Sequence, residues 1–221
     1  MQGVLQDAIA KLTGVRPAAR GASRTDAGVH ALGQVVTFRT DATIPPEGLR
    51  RGLSALLRPD VVVMACREVS DAFDARRSKG KHYRYRVLAA PSPNPLRRRD
   101  TWWVAAPLDR AAMGQAAALL VGTHDFSAFR SSSCSQKNPV RTVTRLDLVP
   151  TGFPIHDEIH FEVEGTAFLM NMVRILVGTL VDVGRGKIRA ADIPAILAGR
   201  DRHRAGKTAP PEGLTLMRVF Y

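Results

Sequence analysis

The segment from Phe168 to Val181 is apolar on nearly every face of a helix and carries one arginine, Arg174, near its middle. A helix that is apolar all round belongs in a protein interior. We predict a buried helix over about 167–183. The whole apolar run 167–183 is too short and too polar to span a bilayer, because it also contains Asn171 and Asp182.

Arg174 needs a partner in such a helix, because a buried guanidinium left without an anion costs several kcal/mol, on the order of 3–5. One alternative is a structural ion pair with any acid, and another is a side chain that reaches the surface. The functional alternative is a pair with Asp26, which would favour the ionised carboxylate.

Asp26 lies in a loop that is bounded by Gly21 and Gly33 and also contains Arg24, Thr25 and His30. A loop aspartate is usually a turn or capping residue. Here Gly28 lets a substrate approach the backbone closely, and loops of this kind commonly present chemistry on a rigid scaffold. We therefore take Asp26 as a candidate that attacks a substrate or holds a cation.

The order of helical and strand patterns predicts an α+β fold with a mixed, mostly antiparallel sheet. Expected helices cover 2–13, 109–121, 167–183 and 190–198, and a further helix starts at Pro45-Pro46-Glu47 with an apolar stripe that continues to Leu57. Expected strands cover 34–39, 61–65, 82–88, 102–104, 142–149, 158–164 and 214–220. Similar content suggests two halves, 1–90 and 101–221, joined by a Pro-rich linker at 91–100, with a cleft between them.

The net charge of +12 predicts a polyanionic partner, for which nucleic acid is the leading candidate. Six of the eleven residues from Arg76 to Arg86 are Lys or Arg, with two tyrosines between them and no acid. Such a segment suits RNA, since cations bind phosphates and rings stack on bases. The alternative is a strand with a solvated basic face and tyrosines in the core.

Few features suggest a metal or a disulfide. His124 and Asp125 have no second histidine at ligand spacing, so we do not expect them to hold a metal. We expect Phe126 and Phe129 beside them to be core residues. Cys66 and Cys134 form no spaced pair, which fits a reducing cytoplasm.

Taken in order along the chain, these blocks closely resemble the TruA family of tRNA pseudouridine synthases over essentially the full length. The blocks are Arg24-Thr25-Asp26-Ala-Gly28-Val-His30, Lys81-x-Tyr83-x-Tyr85, His124-Asp125-Phe126-x-x-Phe129, Phe168 with Met172-Val173-Arg174, and Ala209-Pro-Pro-x-Gly213-Leu214.

The resemblance implies two α/β halves with helices on one side of the sheet and a central RNA-binding cleft. It implies isomerisation of uridines at positions 38, 39 and 40 of the tRNA anticodon stem-loop, without a cofactor or metal. Asp26 matches the catalytic aspartate, Arg24 the arginine that holds the flipped nucleotide out, Tyr83 the tyrosine on the base, and Arg174 the partner of the aspartate.

Further expectations concern the rest of the site and the assembly. Thr25 and His30 are expected to bind substrate. The RNA backbone would be held by Arg76, Lys79, Lys81 and Arg84. Family members are homodimers, so we expect a cytoplasmic dimer that binds no membrane.

The family normally begins with a strand that carries Tyr-Asp-Gly, whereas this sequence opens at the helix from Gln2. We therefore expect the N-terminal half to be incomplete, and the alternative function is a non-catalytic, chaperone-like tRNA-binding remnant.

Overall fold

A computed structural model describes residues 1–151 and 157–221. The helices are α1 (Gln2–Thr13), α2 (Pro46–Leu57), α3 (Arg110–Ala118), α4 (Met172–Gly184) and α5 (Ile193–Gly199). The strands are β1 (Arg20–Gly21), β2 (His30–Ala31), β3 (Val36–Thr37), β4 (Gly80–Ala89), β5 (Trp102–Val104), β6 (Gly122–Asp125), β7 (Val140–Pro150), β8 (Asp157–Gly165) and β9 (Leu214–Phe220).

Residue contacts divide the chain into two compact units. The first comprises Met1–Arg24 and Gln34–Arg77, and the second comprises Thr25–Gly33 and Ser78–Tyr221. The expected halves, 1–90 and 101–221, concern an internal similarity rather than contacts, and they stay a prediction.

The first unit is built on the packing of α1 against α2. Their apolar stripes meet in a core of Ala8, Ile9, Leu53 and Leu57. Helix α1 ends where Gly14 takes a left-handed conformation and its N–H donates to the carbonyl of Ala10. Helix α1 begins and ends where the sequence predicts it, and α2 begins within the predicted Pro45-Pro46-Glu47 start and ends at Leu57, the last residue of its predicted apolar stripe.

The expected strand at 61–65 is wrong. Val61 and Val63 pack against the α1–α2 core, while Val62 and Met64 are exposed. The Val61 N–H donates to the Leu57 carbonyl and the Val63 N–H to the Ser54 hydroxyl. These two N–H groups therefore bind α2 instead of a neighbouring strand. The segment alternates like a strand because it covers helices, not because it pairs in a sheet.

The strand expected at 34–39 is shorter than predicted. Only Val36–Thr37 (β3) forms a ladder, and it pairs antiparallel with β1.

The second unit contains a seven-stranded sheet in the order β2-β9-β4-β8-β7-β6, with β5 beside β4. The β2–β9 and β4–β5 pairs are parallel and the other pairs are antiparallel. The prediction of a mixed, mostly antiparallel sheet is therefore confirmed. Strand β6 was missed, because its four residues were interpreted only as part of a His-Asp-Phe motif.

Side chains alternate across the central strands of this sheet. Tyr85 and Val87 of β4 and Phe161 and Val163 of β8 are fully buried, together with both Phe126 and Phe129. The opposite positions of β4 and β8 carry His, Arg and Glu. Helices α3 and α4 pack on each other, α3 also contacts β7, and α4 contacts β4.

Helix α4 is buried along almost its whole length, as predicted, but it begins at Met172 rather than near 167. The reason is Asn171, whose φ of 60° is left-handed and therefore incompatible with a right-handed helix. At α3, the Asp109 carboxylate accepts from the Ala112 N–H, which confirms the expected cap, and the helix ends at Ala118 rather than 121. Within the described ranges, no helix is long and apolar enough to cross a membrane.

Candidate active site

Residues Thr25–Gly33, which carry Asp26, belong to the second unit because they are anchored to β9. Strand β2 pairs in parallel with Thr215 and Leu216. Beyond it, the N–H groups of Leu32 and Gly33 both donate to the carbonyl of Leu216. The loop is thus fixed at its C-terminal end by the sheet.

The turn after Asp26 is tight, since the Val29 N–H donates to the carbonyl of Asp26 over 3.0 Å. Gly28 completes this turn with a φ of +85°, a conformation that side-chain-bearing residues rarely adopt. A Cβ at this position would also lie 2.9 Å from the Pro211 ring. Gly28 therefore allows the loop to pass against the 209–213 segment.

Arg174 is bound to Asp26, as the functional alternative predicts. The Arg174 Nη1 donates to Asp26 Oδ2 over 2.8 Å. The arginine side chain is 15% exposed and the aspartate side chain is 39% exposed. The cation is therefore enclosed, whereas part of the carboxylate is open to a substrate.

Two further acceptors hold the guanidinium. Nε donates to the carbonyl of Ala209 over 2.7 Å, and Nη1 donates also to Oδ1 of Asn171 over 3.0 Å. Three acceptors on one planar group fix its orientation, which a flexible ammonium could not reproduce. Asn171 was not predicted as a site residue, although its position three residues before Arg174 would place the two side chains near each other in the expected helix.

The segment from Gly206 to Ala209 is seated directly on α4. A Cβ at Gly178 would overlap the carbonyl oxygen of Lys207, so this close approach requires glycine. The Gly206 N–H donates to the Thr179 hydroxyl over 2.9 Å, and the Ala209 N–H donates to the Arg174 carbonyl over 3.1 Å. Ala209 therefore contacts both the backbone and the side chain of Arg174.

The other predicted residues of the loop have different positions. Thr25 is exposed beside Asp26. The exposed His30 donates from Nε2 to the carbonyl of Arg99 over 2.6 Å, because a carbonyl can only accept. Arg24 is exposed and is the last residue of its segment in the first unit. Substrate binding by these three residues stays a prediction.

Tyr83 lies on β4 opposite Leu216 of β9, the residue that also pairs with Ala31. One strand thus separates the tyrosine from the strand that follows the Asp26 loop. The tyrosine is 6% exposed, and its ring makes an edge-to-face contact with Phe168 at 5.4 Å between centroids. Its contact with a base stays a prediction.

Carboxylates that lie outside the basic segment 76–86 neutralise some of its cations. Arg84 Nε lies 2.6 Å from Glu162 Oε1, and His82 binds the other oxygen of the same carboxylate. In the first unit, Arg76 binds Asp74 over 2.6 Å and holds the pKa of that carboxyl well below its usual range. Burial lowers the pKa of Lys81, and only Lys79 among the four predicted backbone cations is both exposed and outside these ion pairs.

The pairing of Glu162 with His82 and Arg84 was missed because Glu162 lies on β8, about 80 residues away. The alternation Glu158-x-His160-x-Glu162-x-Glu164 was its only signal in the sequence.

The arrangement at Asp26 suits nucleophilic or base chemistry. The partly exposed carboxylate is held in one orientation by a fixed arginine, an arrangement that a nucleophile or base requires. Within residues 1–151 and 157–221, no group of three or more His, Cys, Asp or Glu side chains is arranged to hold a metal ion.

Comparison with known proteins agrees with these features. A model of a family described as tRNA pseudouridine synthase matches residues 116–221. Proteins named tRNA pseudouridine synthase A are 50% identical in Myxococcus xanthus and 48% identical in Acetivibrio thermocellus. The alignments cover all of this chain and 83% and 89% of those proteins. The chain therefore belongs to the TruA family of tRNA pseudouridine synthases, which are isomerases.

Proposed function

We propose that this enzyme converts uridine to pseudouridine at positions 38, 39 and 40 of the tRNA anticodon stem-loop, with Asp26 as the nucleophile or base. The observation that carries the proposal is the 2.8 Å contact between Asp26 and Arg174, in which the cation is enclosed and the carboxylate is partly open. The match to tRNA pseudouridine synthases supports the reaction class.

The reaction is an isomerisation. The N1–C1′ bond of the nucleotide breaks, the uracil turns, and a C5–C1′ bond forms, while C5 loses a proton and N1 gains one. No electrons are transferred and no group leaves, so atoms and charge balance without a cofactor. A base in a stem must first be extruded, which costs a few kcal/mol of unstacking.

Asp26 can serve this reaction in three ways. Its carboxylate can attack C1′, attack C6, or remove the proton at C2′ to give a glycal. In each case the carboxylate must be held at one place and in one orientation, which is what the contact with Arg174 provides.

The test is to map pseudouridine at nucleotide resolution in an unmodified tRNA that carries uridines at positions 38, 39 and 40. We expect product at those positions with the wild type and none with Asp26→Asn. Asp7→Asn is the matched control, since Asp7 also binds an arginine but is well exposed in the first unit. Product elsewhere in the tRNA would contradict the proposed positions, and tRNA binding without product would favour the non-catalytic alternative.

We further propose that the enzyme is a cytoplasmic homodimer, as the resemblance implies. Sedimentation equilibrium should give a mass close to twice the 24.1 kDa of the chain. A mass near 24 kDa at micromolar concentration would contradict the dimer.

A further inference from the structure

A polar cavity of about 420 Å³ opens next to the segments that carry the acceptors of Arg174. Its lining includes two serines, a threonine, an arginine, a histidine and a glycine: Ser131, Ser132, Thr208, Arg202, His203 and Gly206. The volume lies within the range of about 300–1,000 Å³ that is usual for ligand sites. Its hydroxyl and guanidinium groups are hydrogen-bond donors, which suits an anion.

The walls of this cavity continue into the groups that hold Arg174. Thr208 directly precedes Ala209, whose carbonyl accepts from the arginine Nε. On the other wall, the Ser131 N–H donates to the carbonyl of Met170, the residue before Asn171. The cavity is thus joined at two points to the groups that orient the partner of Asp26.

The cavity also contains an uncompensated positive charge. Arg202 donates to the carbonyl of Gly206 over 2.9 Å and to the hydroxyl of Thr208 over 3.1 Å. In the part of the chain that the structure describes, no carboxylate lies within ion-pair distance of this guanidinium. Asp201, its neighbour, instead accepts from the His203 N–H and caps the turn.

Burial lowers the pKa of Arg202, in agreement with a cation that is desolvated without an opposite charge. The cation is held in place by the loop, so it is oriented before any ligand arrives.

We propose that this cavity binds one backbone phosphodiester of the RNA substrate, close to the nucleotide that reacts at Asp26. The proposal rests on the proposed function. Arg, Ser and Thr side chains together with backbone N–H groups are the usual ligands of nucleic-acid phosphates, and such contacts fix register without reading sequence. A phosphate bound here would supply the missing negative charge and position the strand beside Asp26.

The test places a negative charge in the cavity without disturbing the loop. Ser132 is exposed, so Ser132→Glu should fold normally and repel a phosphate, while Ser132→Gln adds similar bulk without charge. With a labelled anticodon stem-loop RNA at low salt, we expect Ser132→Glu to weaken binding by about tenfold and to reduce the salt slope by about one. Ser132→Gln should stay within about twofold of the wild type.

Unchanged binding by Ser132→Glu would overturn the proposal, and so would an equal loss in both variants, which would indicate steric hindrance. A separate titration with inorganic phosphate follows thermal unfolding. If phosphate raises the Tm of the wild type but not of Ser132→Glu, while RNA binding is equal in both, the cavity binds a free anion and the RNA assignment is wrong. Binding is measured without catalysis, so absence of pseudouridine with intact RNA binding would contradict the proposed function alone.

Discussion

Asn171 links the start of α4 to the orientation of Arg174. Its amide oxygen is the third acceptor on the guanidinium, and its left-handed backbone sets where the helix begins. We expect Asn171→Gly to keep this backbone conformation but to release one contact of the arginine. The kcat for pseudouridine formation should fall about tenfold, equivalent to about 1.4 kcal/mol in the activation barrier, with little change in the KM for tRNA.

Asn171→Asp is the matched second variant, since it keeps the oxygen but adds a charge that competes with Asp26 for Arg174. We expect it to lower kcat at least as much as Asn171→Gly. Wild-type kcat in both variants would show that Asn171 serves only the fold of the helix start.

Lys79 and Arg84 test which basic residues are available to RNA. Lys79 is exposed, whereas Arg84 binds the buried Glu162. Lys79→Gln should weaken tRNA binding and reduce the salt slope by about one. Arg84→Gln should leave that slope unchanged and instead lower the free energy of unfolding, on the order of 1–3 kcal/mol, because the buried Glu162 loses its arginine but keeps His82.

Salt-dependent binding assays and chemical denaturation of the two variants separate these effects. An equal loss of slope in both would mean that the ion pair opens when RNA binds.

The 206–209 segment packs directly on helix α4, because Gly178 has no side chain that would separate the two backbones. Gly178→Ala should lift this segment from the helix, since its Cβ would overlap the Lys207 carbonyl. We expect a loss of about 1–3 kcal/mol in unfolding free energy and lower activity through Ala209 and Arg174. Gly114→Ala in α3 is the control, because nothing lies within 4 Å of its Cβ. It should stabilise the helix by about 0.5–1 kcal/mol and leave activity unchanged.

The charged positions of β4 and β8 make stability depend on pH. Burial lowers the pKa of His160 below its ordinary value of 6.5, against the opposing hydrogen bond to Glu158 and with a smaller contribution from Arg84 and Arg86. The unfolded chain therefore binds more protons than the folded one just below pH 6.5, so stability decreases as the pH falls through that range. We expect His160→Gln to flatten the dependence of Tm on pH between about pH 5 and pH 7. An unchanged slope would assign the pH dependence to other groups.

At the scale of the whole molecule, local pattern predicted most elements. Apolar periodicity predicted the bounds of α1 and the stripe of α2, and the bounds of β9 agree with the strand expected at 214–220. The segment 61–65 was misassigned because its continuous apolar run was interpreted as a strand in the middle of a sheet, whereas such a short run can also pack one face on a pair of helices. The start of α4 depended on one left-handed residue, which no apolar pattern reveals.

The sequence also indicated that Arg174 requires an anion and offered Asp26 as one candidate among several. It did not single out Asn171, and it could not identify the carbonyl of Ala209 as a partner, since that contact depends on how the 206–209 segment packs on α4. The neutralisation of Arg84 by Glu162 was missed for the same reason, because ladder register joins residues that are distant in sequence.

The most direct test of the role of Asp26 is tritium release from tRNA labelled at C5 of uridine, because C5 loses its hydrogen only when the C5–C1′ bond forms. Under single-turnover conditions, we expect release by the wild type and by Asp7→Asn. Asp26→Asn should bind the tRNA yet release tritium at least about 100-fold more slowly. Release by Asp26→Asn at the wild-type rate would contradict the assignment of Asp26 as the reacting group.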